Sequence, residues 1–521
     1  MYSALYSSSA PEQSGARAGR RHPQRGVPQR KRLLLAVLLV WLLPMHPVLA
    51  QRDQSAEANP PAQASRLPEP RKTLHRIQVN GAEFRFEATA GAITLTNSEG
   101  QAEAEIAFVS YVGESADRAS RPVTFAVNGG PGAASAYLHL GAIGPWLLPM
   151  DGDRIVPSQS IALVDNPETW LQFTDLVFID PAGTGFSRLI DPSDRLRGRY
   201  FSIDGDIDAL ARFVTRWLTE NGRLPSPKYF VGESYGGFRG PLLAEELQTE
   251  YGVALKGLIL VSPVLDFGWW SEAGRSPLRF ASLLPSLAAT SMERRGAFSE
   301  DALDAAEGYA AGEYVTDLLL GFQDESAIGR IVTRVAELTG LPAATVRDYE
   351  GRVDAAAFEQ ELALKEGRIA SIYDGTVTAE APASPNARRS LDPVLSAMTA
   401  PLTSAMLHHY RNVLQWLPQR RYLLLNRLGW NWGQGREPPE AISALSRVLA
   451  LDPEFRVLVV HGYTDLVTPY FGTELLLRQV RPFAPAGRLR QENYRGGHMF
   501  YTRPDSRRAL RDDALLLYGL E

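Results

Sequence analysis

Not one cysteine occurs among the 521 residues. That absence removes disulfides, cysteine-ligated zinc and thiol catalysis together, and leaves stability to a packed core or to a metal held by other ligands. A long hydrophobic run is missing as well: the most prominent, Leu33–Leu43, ends at Pro44 and is too short to cross a bilayer comfortably. No sign of charge dominates, with 54 Lys and Arg against 59 Asp and Glu and a net charge of −5. What is present is a globular composition, 45% hydrophobic and 22% charged, in a length that fits one large domain with an insertion or two to three domains.

The basic residues Arg17, Arg20, Arg21, Arg25, Arg30, Lys31 and Arg32 stand before the apolar run, and Val48-Leu49-Ala50 follows it. A charged segment, an apolar segment and small residues at the cleavage positions make a secretory signal peptide. Residues 1–50 are expected to be removed after Ala50, giving a secreted or periplasmic protein with no stable membrane insertion; an uncleaved anchor is the alternative. Cleavage takes away seven basic residues and one acidic one, which moves the net charge from −5 to −11. An acidic chain argues against nucleic acid as a partner. Residues 51–72 are rich in Pro, Ala, Gln and Glu and read as a flexible leader.

From Thr73 to Val112, short alternating runs broken by Asn80-Gly81 and Ser98-Glu99-Gly100 predict antiparallel strands at a sheet edge. Pro122–Val127 is a strand of the buried type, running into Asn128-Gly129-Gly130-Pro131-Gly132. Glycines directly after a strand let backbone approach a ligand and aim N–H groups at it. The Gly-Lys-Ser/Thr ending of a nucleotide loop is absent, so an oxyanion loop ranks above a phosphate site. Asp175–Ile179 is another such strand and ends in the glycine-rich Asp180–Ser187. Asp204, Asp206 and Asp208 lack the glycine and terminal Glu of a calcium loop and are expected to cap a helix running to Leu218. Leu255–Val261 is a further strand. Between about Phe267 and Ile442 strand signals fade and Ala/Leu/Glu-rich helical stretches such as Ser299–Phe322 and Ala327–Leu338 replace them. The predicted architecture is α/β: a core in two parts, 73–266 and 443–521, with a mostly parallel central sheet and a helical cap insertion over 267–442. Trp416, Trp430 and Trp432 in that insertion are expected to pack inside it.

Lys228–Val231 meets Gly232-Glu233-Ser234-Tyr235-Gly236, and a helix is predicted from Tyr235 toward Thr249. This is a nucleophile-elbow pattern, with small residues on both sides of a serine and a backbone N–H after it directed at any oxyanion formed there. A plain glycine turn before a helix shares the pentapeptide; the rest of the chain separates the two. Asp465 follows the strand Arg456–Val460, and His498 stands in a glycine loop after Tyr494. Serine, then acid, then histidine is the triad order of α/β-hydrolases. Such chemistry needs a serine that gives its proton to an imidazole, and a carboxylate that sets the imidazole's tautomer. Ser234, His498 and Asp465 fit those roles. Asp180 precedes the serine and breaks the order, and His408 and His409, adjacent on a helix, face different sides and make a poor metal pair.

Together these motifs resemble the serine carboxypeptidase family. The pieces that carry the resemblance are Asn128–Gly132, Asn166–Trp170, Asp180–Ser187, Gly232–Gly237, the strand to Asp465, and Gly496–Met499, spread over about 74–505. The missing cysteines and the secretion signal point to a bacterial branch. The resemblance implies a peptide substrate, no cofactor or metal, Ser234 as nucleophile, His498 as base and then acid, and Asp465 as its orienter. It implies the N–H groups of Gly130 and Tyr235 as oxyanion hole, and Asn128 with Glu233 as holders of the substrate's C-terminal carboxylate. A glutamate that binds a carboxylate must share a proton with it. One departure stands out: where the family has Glu-Leu-Gly-Pro, with a second carboxylate-binding glutamate, this chain has Ala142-Ile143-Gly144-Pro145. A substitute group is expected from the insertion, where no residue identifies itself. An esterase or acyltransferase on the same site is therefore a standing alternative, and a non-catalytic binding protein a more distant one. Oligomeric state and side-chain preference leave no mark in the sequence.

Overall fold

The computed structural model describes residues 66–520, except 116, 151–155, 159–161, 270–274, 364–365, 434 and 436. The expected signal peptide, its cleavage point and most of the leader lie outside the described residues. β1 (Arg71–Val79) and β2 (Ala82–Thr96) alternate buried and exposed side chains, as strands with one wet face must. They form an antiparallel hairpin at Asn80-Gly81, both at positive φ, the tight turn whose twist suits a hairpin. β3 (Ala102–Gly113) pairs antiparallel with β2.

The leader reading is corrected at its end. Leu67 is buried, Arg66 Nε lies 2.9 Å from Glu105 Oε1, and β1 begins at Arg71. A proline-rich stretch reads as loose from composition alone; here the Pro70 ring fills the space over Gly91, where an added Cβ would come within 2.7 Å of it.

β4 (Val123–Val127), β5 (Asp175–Ile179), β6 (Lys228–Glu233), β7 (Gly257–Val261), β8 (Arg456–Gly462) and β9 (Leu489–Tyr494) continue the sheet in parallel. Its path is β1-β2-β3-β5-β4-β6-β7-β8-β9, and a short tenth strand, Arg188–Leu189, pairs with β3. This is the α/β-hydrolase fold. β4, β5 and β7 are buried along their whole length. Each therefore feeds two cores: Phe125 and Leu260 face one, Ala126 and Val261 the other. Because β4 lies between β5 and β6, the connections diverge there and open a crevice at the strands' C-terminal ends.

Eight longer helices complete the frame: α1 (Ile203–Glu220), α2 (Tyr235–Thr249), α3 (Pro277–Arg294), α4 (Glu300–Tyr309), α5 (Glu325–Thr339), α6 (Pro393–His408), α7 (Ile442–Leu451) and α8 (Pro504–Tyr518). α1 buries Phe213, Val214 and Trp217 on the sheet, with the Trp217 ring edge-on to Phe125 at 5.6 Å. Its cap is Ser202, which accepts from Gly205 N–H; Asp206, expected to cap, is turned inward and buried.

α3 to α6 lie in the insertion, whose own apolar cluster of Leu284, Leu287, Ile331 and Val335 also takes in Leu466, Tyr470 and Phe471 from beyond β8. Two stretches of the insertion join the core through backbone. Ile372 O and Thr464 O accept from Leu466 N and Gly375 N, and 423–431 bridges to Ala133, Gly185 and Ser202. No helix among the described residues is long and apolar enough to cross a membrane.

Removing the Trp217 ring should leave an unfilled space between α1 and β4. Trp217→Ala is expected to cost about 3–5 kcal/mol of unfolding free energy in a urea titration; a loss below about 1 kcal/mol would contradict this packing.

Candidate active site

Ser234 sits between the last residue of β6 and the first of α2 at φ 60 and ψ −122, a conformation that a residue with a side chain adopts only under constraint. The constraint is local. A Cβ on Gly232 would lie 2.0 Å from Gly236 O, and one on Gly236 would lie 2.7 Å from Val127 O, so neither position admits anything but glycine. Ser234 N donates to Val261 O at 2.8 Å, which ties the elbow to β7. The serine is partly exposed between buried Glu233 and Tyr235. Its hydroxyl has no hydrogen-bond partner among the described residues, and hydrogen bonds of this kind often tighten only around substrate.

The glycine loop after β4 lies directly against the elbow. An added Cβ on Gly129 would fall 2.5 Å from Tyr235 N and 2.9 Å from Ser234 Cβ. Tyr235 opens α2, so its N–H has no acceptor within the helix, and Gly130 holds a φ of 104. Arg239, one turn into α2, fixes this arrangement from below. Its guanidinium donates to Asn128 O at 2.7 Å and to both oxygens of Asp206 at 2.6 and 3.2 Å, and it lies 4.7 Å from the Tyr235 ring centre. Burial raises the Asp206 pKa although Arg239 opposes it. From above, Ala134 N donates to Leu424 O and Asn426 N to Gly132 O.

Asp465 and His498 come together at the ends of β8 and β9. His498 Nδ1 is 2.8 Å from Asp465 Oδ2, and both residues are buried. Asp465 Oδ1 accepts from Val467 N and Thr468 N, while Thr468 Oγ1 lies 2.7 Å from Asp465 Oδ2 and 3.1 Å from His498 Nδ1. Burial pulls the His498 pKa down, but the Asp465 and Glu233 charges outweigh it and the net shift is upward. For Asp465, burial pushes up and is outweighed by His498 and the Thr468 hydrogen bonds, leaving it lowered. With Nδ1–H directed at the carboxylate, the neutral ring carries its lone pair on Nε2. The histidine's backbone is held too: its N–H donates to Tyr373 O at 2.6 Å and its C=O accepts from Ser262 Oγ at 2.9 Å.

Glu233 accepts on Oε2 from Asn128 Nδ2 and from the Tyr501 hydroxyl, each at 2.7 Å. Asn128 Oδ1 accepts Leu138 N–H, which turns the amide's donor end toward Glu233. Burial raises the Glu233 pKa to about 7, against His498, Tyr501 and Asn128, all of which favour the charged form. Ala142 lies buried in the turn His139–Ile143. Asp180 is buried as well, accepts Ser135 N–H and is raised to about 7 by burial. It is bonded to Ser135, three residues past the glycine loop, and not to His498.

The structure thus brings Asp465 to His498 and Asn128 to Glu233, and sets Ser234, Tyr235 and the Gly129 backbone against one another, with Gly130 next in the loop. Thr468, Tyr373, Tyr501 and the Arg239–Asp206 pair went unseen in the sequence reading. Only Thr468 left a local signal, as a threonine three residues past an aspartate in a turn. Trp416 is buried, whereas Trp430 and Trp432 are only half buried and present edges to the Tyr235 ring at 5.5 and 5.6 Å; their expected burial is corrected. Among the described residues no group of three or more His, Asp or Glu side chains is arranged to hold a metal ion.

Against known proteins, residues 80–298 match the family model described as serine carboxypeptidase. That stretch holds the glycine loop and the elbow; Asp465 and His498 lie beyond it. Serine carboxypeptidase-like 13 of Arabidopsis thaliana is 28% identical over 186 residues, 35% of this chain and 40% of that protein. Serine carboxypeptidase-like 26 of the same plant is 28% identical over 265 residues, 47% of this chain and 55% of that one. The chain therefore spans about half the length of these curated relatives. Among solved structures, a proline iminopeptidase from Mycobacterium smegmatis shares 14% identity with a TM-score of 0.36, over 82% of this chain and 98% of that one.

Arg239→Leu would strand Asp206 as an unpaired buried charge. A loss of about 3–5 kcal/mol in unfolding free energy is expected at pH 7, shrinking toward pH 4 as Asp206 takes up a proton. Equal losses at both pH values would contradict the pairing.

Proposed function

We propose that this chain is an exported serine hydrolase that removes residues from the C-termini of peptides through an acyl-enzyme on Ser234. The observation that carries the reading is the buried 2.8 Å contact between Asp465 and His498, standing at the same sheet edge as a strained serine elbow. Three features support it further: the family match over the elbow, the fold, and the burial of a carboxyl beside the serine.

In this reading Ser234 Oγ attacks the scissile carbonyl carbon while its proton passes to His498 Nε2. Asp465 keeps the ring in the tautomer with Nδ1–H and stabilises the imidazolium. The carbonyl oxygen becomes an oxyanion held by the Gly130 and Tyr235 N–H groups, donors that need no rearrangement during the reaction. On collapse the C–N bond breaks, His498 returns the proton to the leaving amine, and the acyl group remains on Ser234. Water then repeats the sequence, giving its proton to His498 and freeing the acid. Glu233, neutral, and Asn128 hold the leaving residue's carboxylate, because an ionised Glu233 would repel it.

Ala142 favours one second reading, an esterase or acyltransferase working through the same serine with no requirement for a free carboxylate.

Ser234→Ala should lower peptide turnover on the order of a millionfold while leaving the unfolding transition in place; retained turnover would end the assignment. An N-blocked peptide acid should lose kcat/KM through a rising KM as pH climbs past about 7, where Glu233 gives up its proton. The same peptide as its C-terminal amide should lack that limb. Matching profiles for acid and amide would move the weight to the ester reading.

A further inference from the structure

Among the described residues no second carboxyl is hydrogen-bonded to Glu233, and the structure shows what stands beside it. Tyr501, three residues after His498, is fully buried; its ring rests on Gly141, where an added Cβ would lie 3.3 Å from Cε2, and its hydroxyl reaches Glu233 Oε2 at 2.7 Å. The phenol therefore runs from the backbone next to Ala142 to the carboxyl of Glu233. Asn128 Nδ2 is on the same Oε2, and that amide cannot be turned over because its oxygen is engaged by Leu138 N–H. An oxygen already accepting two donors has both lone pairs occupied and is the poorer seat for a proton.

We propose that Tyr501 is a positioning residue that, with Asn128, holds Glu233 Oε2 as an acceptor, so that neutral Glu233 carries its proton on Oε1 and offers it to a ligand carboxylate. The inference rests on the carboxypeptidase reading of the site and goes further by making the clamp one acid and one phenol, of which only the acid takes up or gives up a proton. The substitute for the missing acid comes from the segment after His498, not from the insertion. The groups facing Glu233 are His498 and Asp465 from the loops after β9 and β8, Asn128 from the glycine loop, Tyr501, and Tyr137. The buried Tyr137 hydroxyl has no partner among the described residues, and its ionisation is opposed first by burial and then by the Glu233 charge. Burial holds Glu233 up near 7, while the Tyr501 hydrogen bond favours its charged form. Removing that bond must therefore move the Glu233 titration to higher pH and free the proton to sit on either oxygen.

The test follows Ser234 labelling by a fluorophosphonate, read by mass spectrometry on the full chain from pH 5 to 9. An N-acetyl-dipeptide acid or its amide is added as protecting ligand. In the wild type the acid should protect about tenfold better than the amide at pH 6, the worth of one charge-assisted hydrogen bond, and lose that advantage above about pH 7. In Tyr501→Phe, protection by the acid should weaken about tenfold, its pH midpoint should rise, and protection by the amide should hold within about twofold. Absence of any acid preference in the wild type would overturn the proposal, and so would an equal loss for acid and amide in the variant or an unmoved or lower midpoint. If Ser234 is not labelled at all, the hydrolase reading fails separately. The infrared carboxyl band of Glu233, assigned with Glu233→Gln, then decides the role of Tyr501: a midpoint that rises in Tyr501→Phe upholds it and an unchanged one overturns it.

Discussion

The contact between Asp465 and His498 is made where water is nearly excluded, and that exclusion sets the terms for everything around it. A carboxylate alone in such a place would take up a proton, and an imidazole alone would give one away. Side by side they reverse both tendencies: the acid is lowered and the histidine raised. The pair must then be held at hydrogen-bonding distance by parts of the chain that have no other reason to meet. Thr468 bonds the carboxylate from its own turn. Ser262, at the end of β7, bonds the histidine's carbonyl, and Tyr373, from deep inside the insertion, accepts its N–H. Asp374 follows Tyr373 and accepts from Thr464 Oγ1 at 2.8 Å and from Arg503 Nη2 at 3.1 Å. The insertion is thus tied by hydrogen bonds to the loops that carry the acid and the base.

A second set of buried charges shapes the backbone on the other side of the crevice. Asp465, Asp206, Asp180 and Glu233 are buried near the C-terminal edge, each with a different partner. Asp465 has an imidazole, Asp206 a guanidinium, Asp180 backbone N–H groups, and Glu233 only the neutral donors of Asn128 and Tyr501. Only the last two are raised to about 7, by burial. Neighbours of this kind push like groups toward unlike protonation states, one held ionised beside an imidazole, another biased toward its neutral form. Arg239 links the sets, since the same guanidinium that neutralises Asp206 also grips the carbonyl of Asn128.

Much of this was legible in the order of residues, and for identifiable reasons. The elbow is legible because only glycine fits at 232 and 236, and the antiparallel hairpin because Asn80-Gly81 is the turn such strands require. The central strands announce themselves as unbroken apolar runs, since sheets covered on both faces demand them. What stayed hidden is pairing across long separations. Tyr501 meets Glu233 across 268 residues and Arg239 meets Asp206 across 33; no local pattern marks a tyrosine or an arginine for such a partner. The insertion was readable as helical but not as structural support, because Tyr373 contributes a backbone carbonyl, which every residue has. The described end of the leader misled for a similar reason: Pro70 serves as packing on Gly91, and composition reports only its stiffness.

The proposed chemistry turns on Ser234 receiving an acyl group with His498 as its base. Its most direct measurement is rapid acid quench of the protein with an activated ester of an N-acyl amino acid, followed by peptide mapping of the adduct. An acyl group is expected on Ser234 at early times, absent in Ser234→Ala and formed far more slowly in His498→Gln. An adduct on another residue, or turnover with no acyl-enzyme and no dependence on His498, would contradict it.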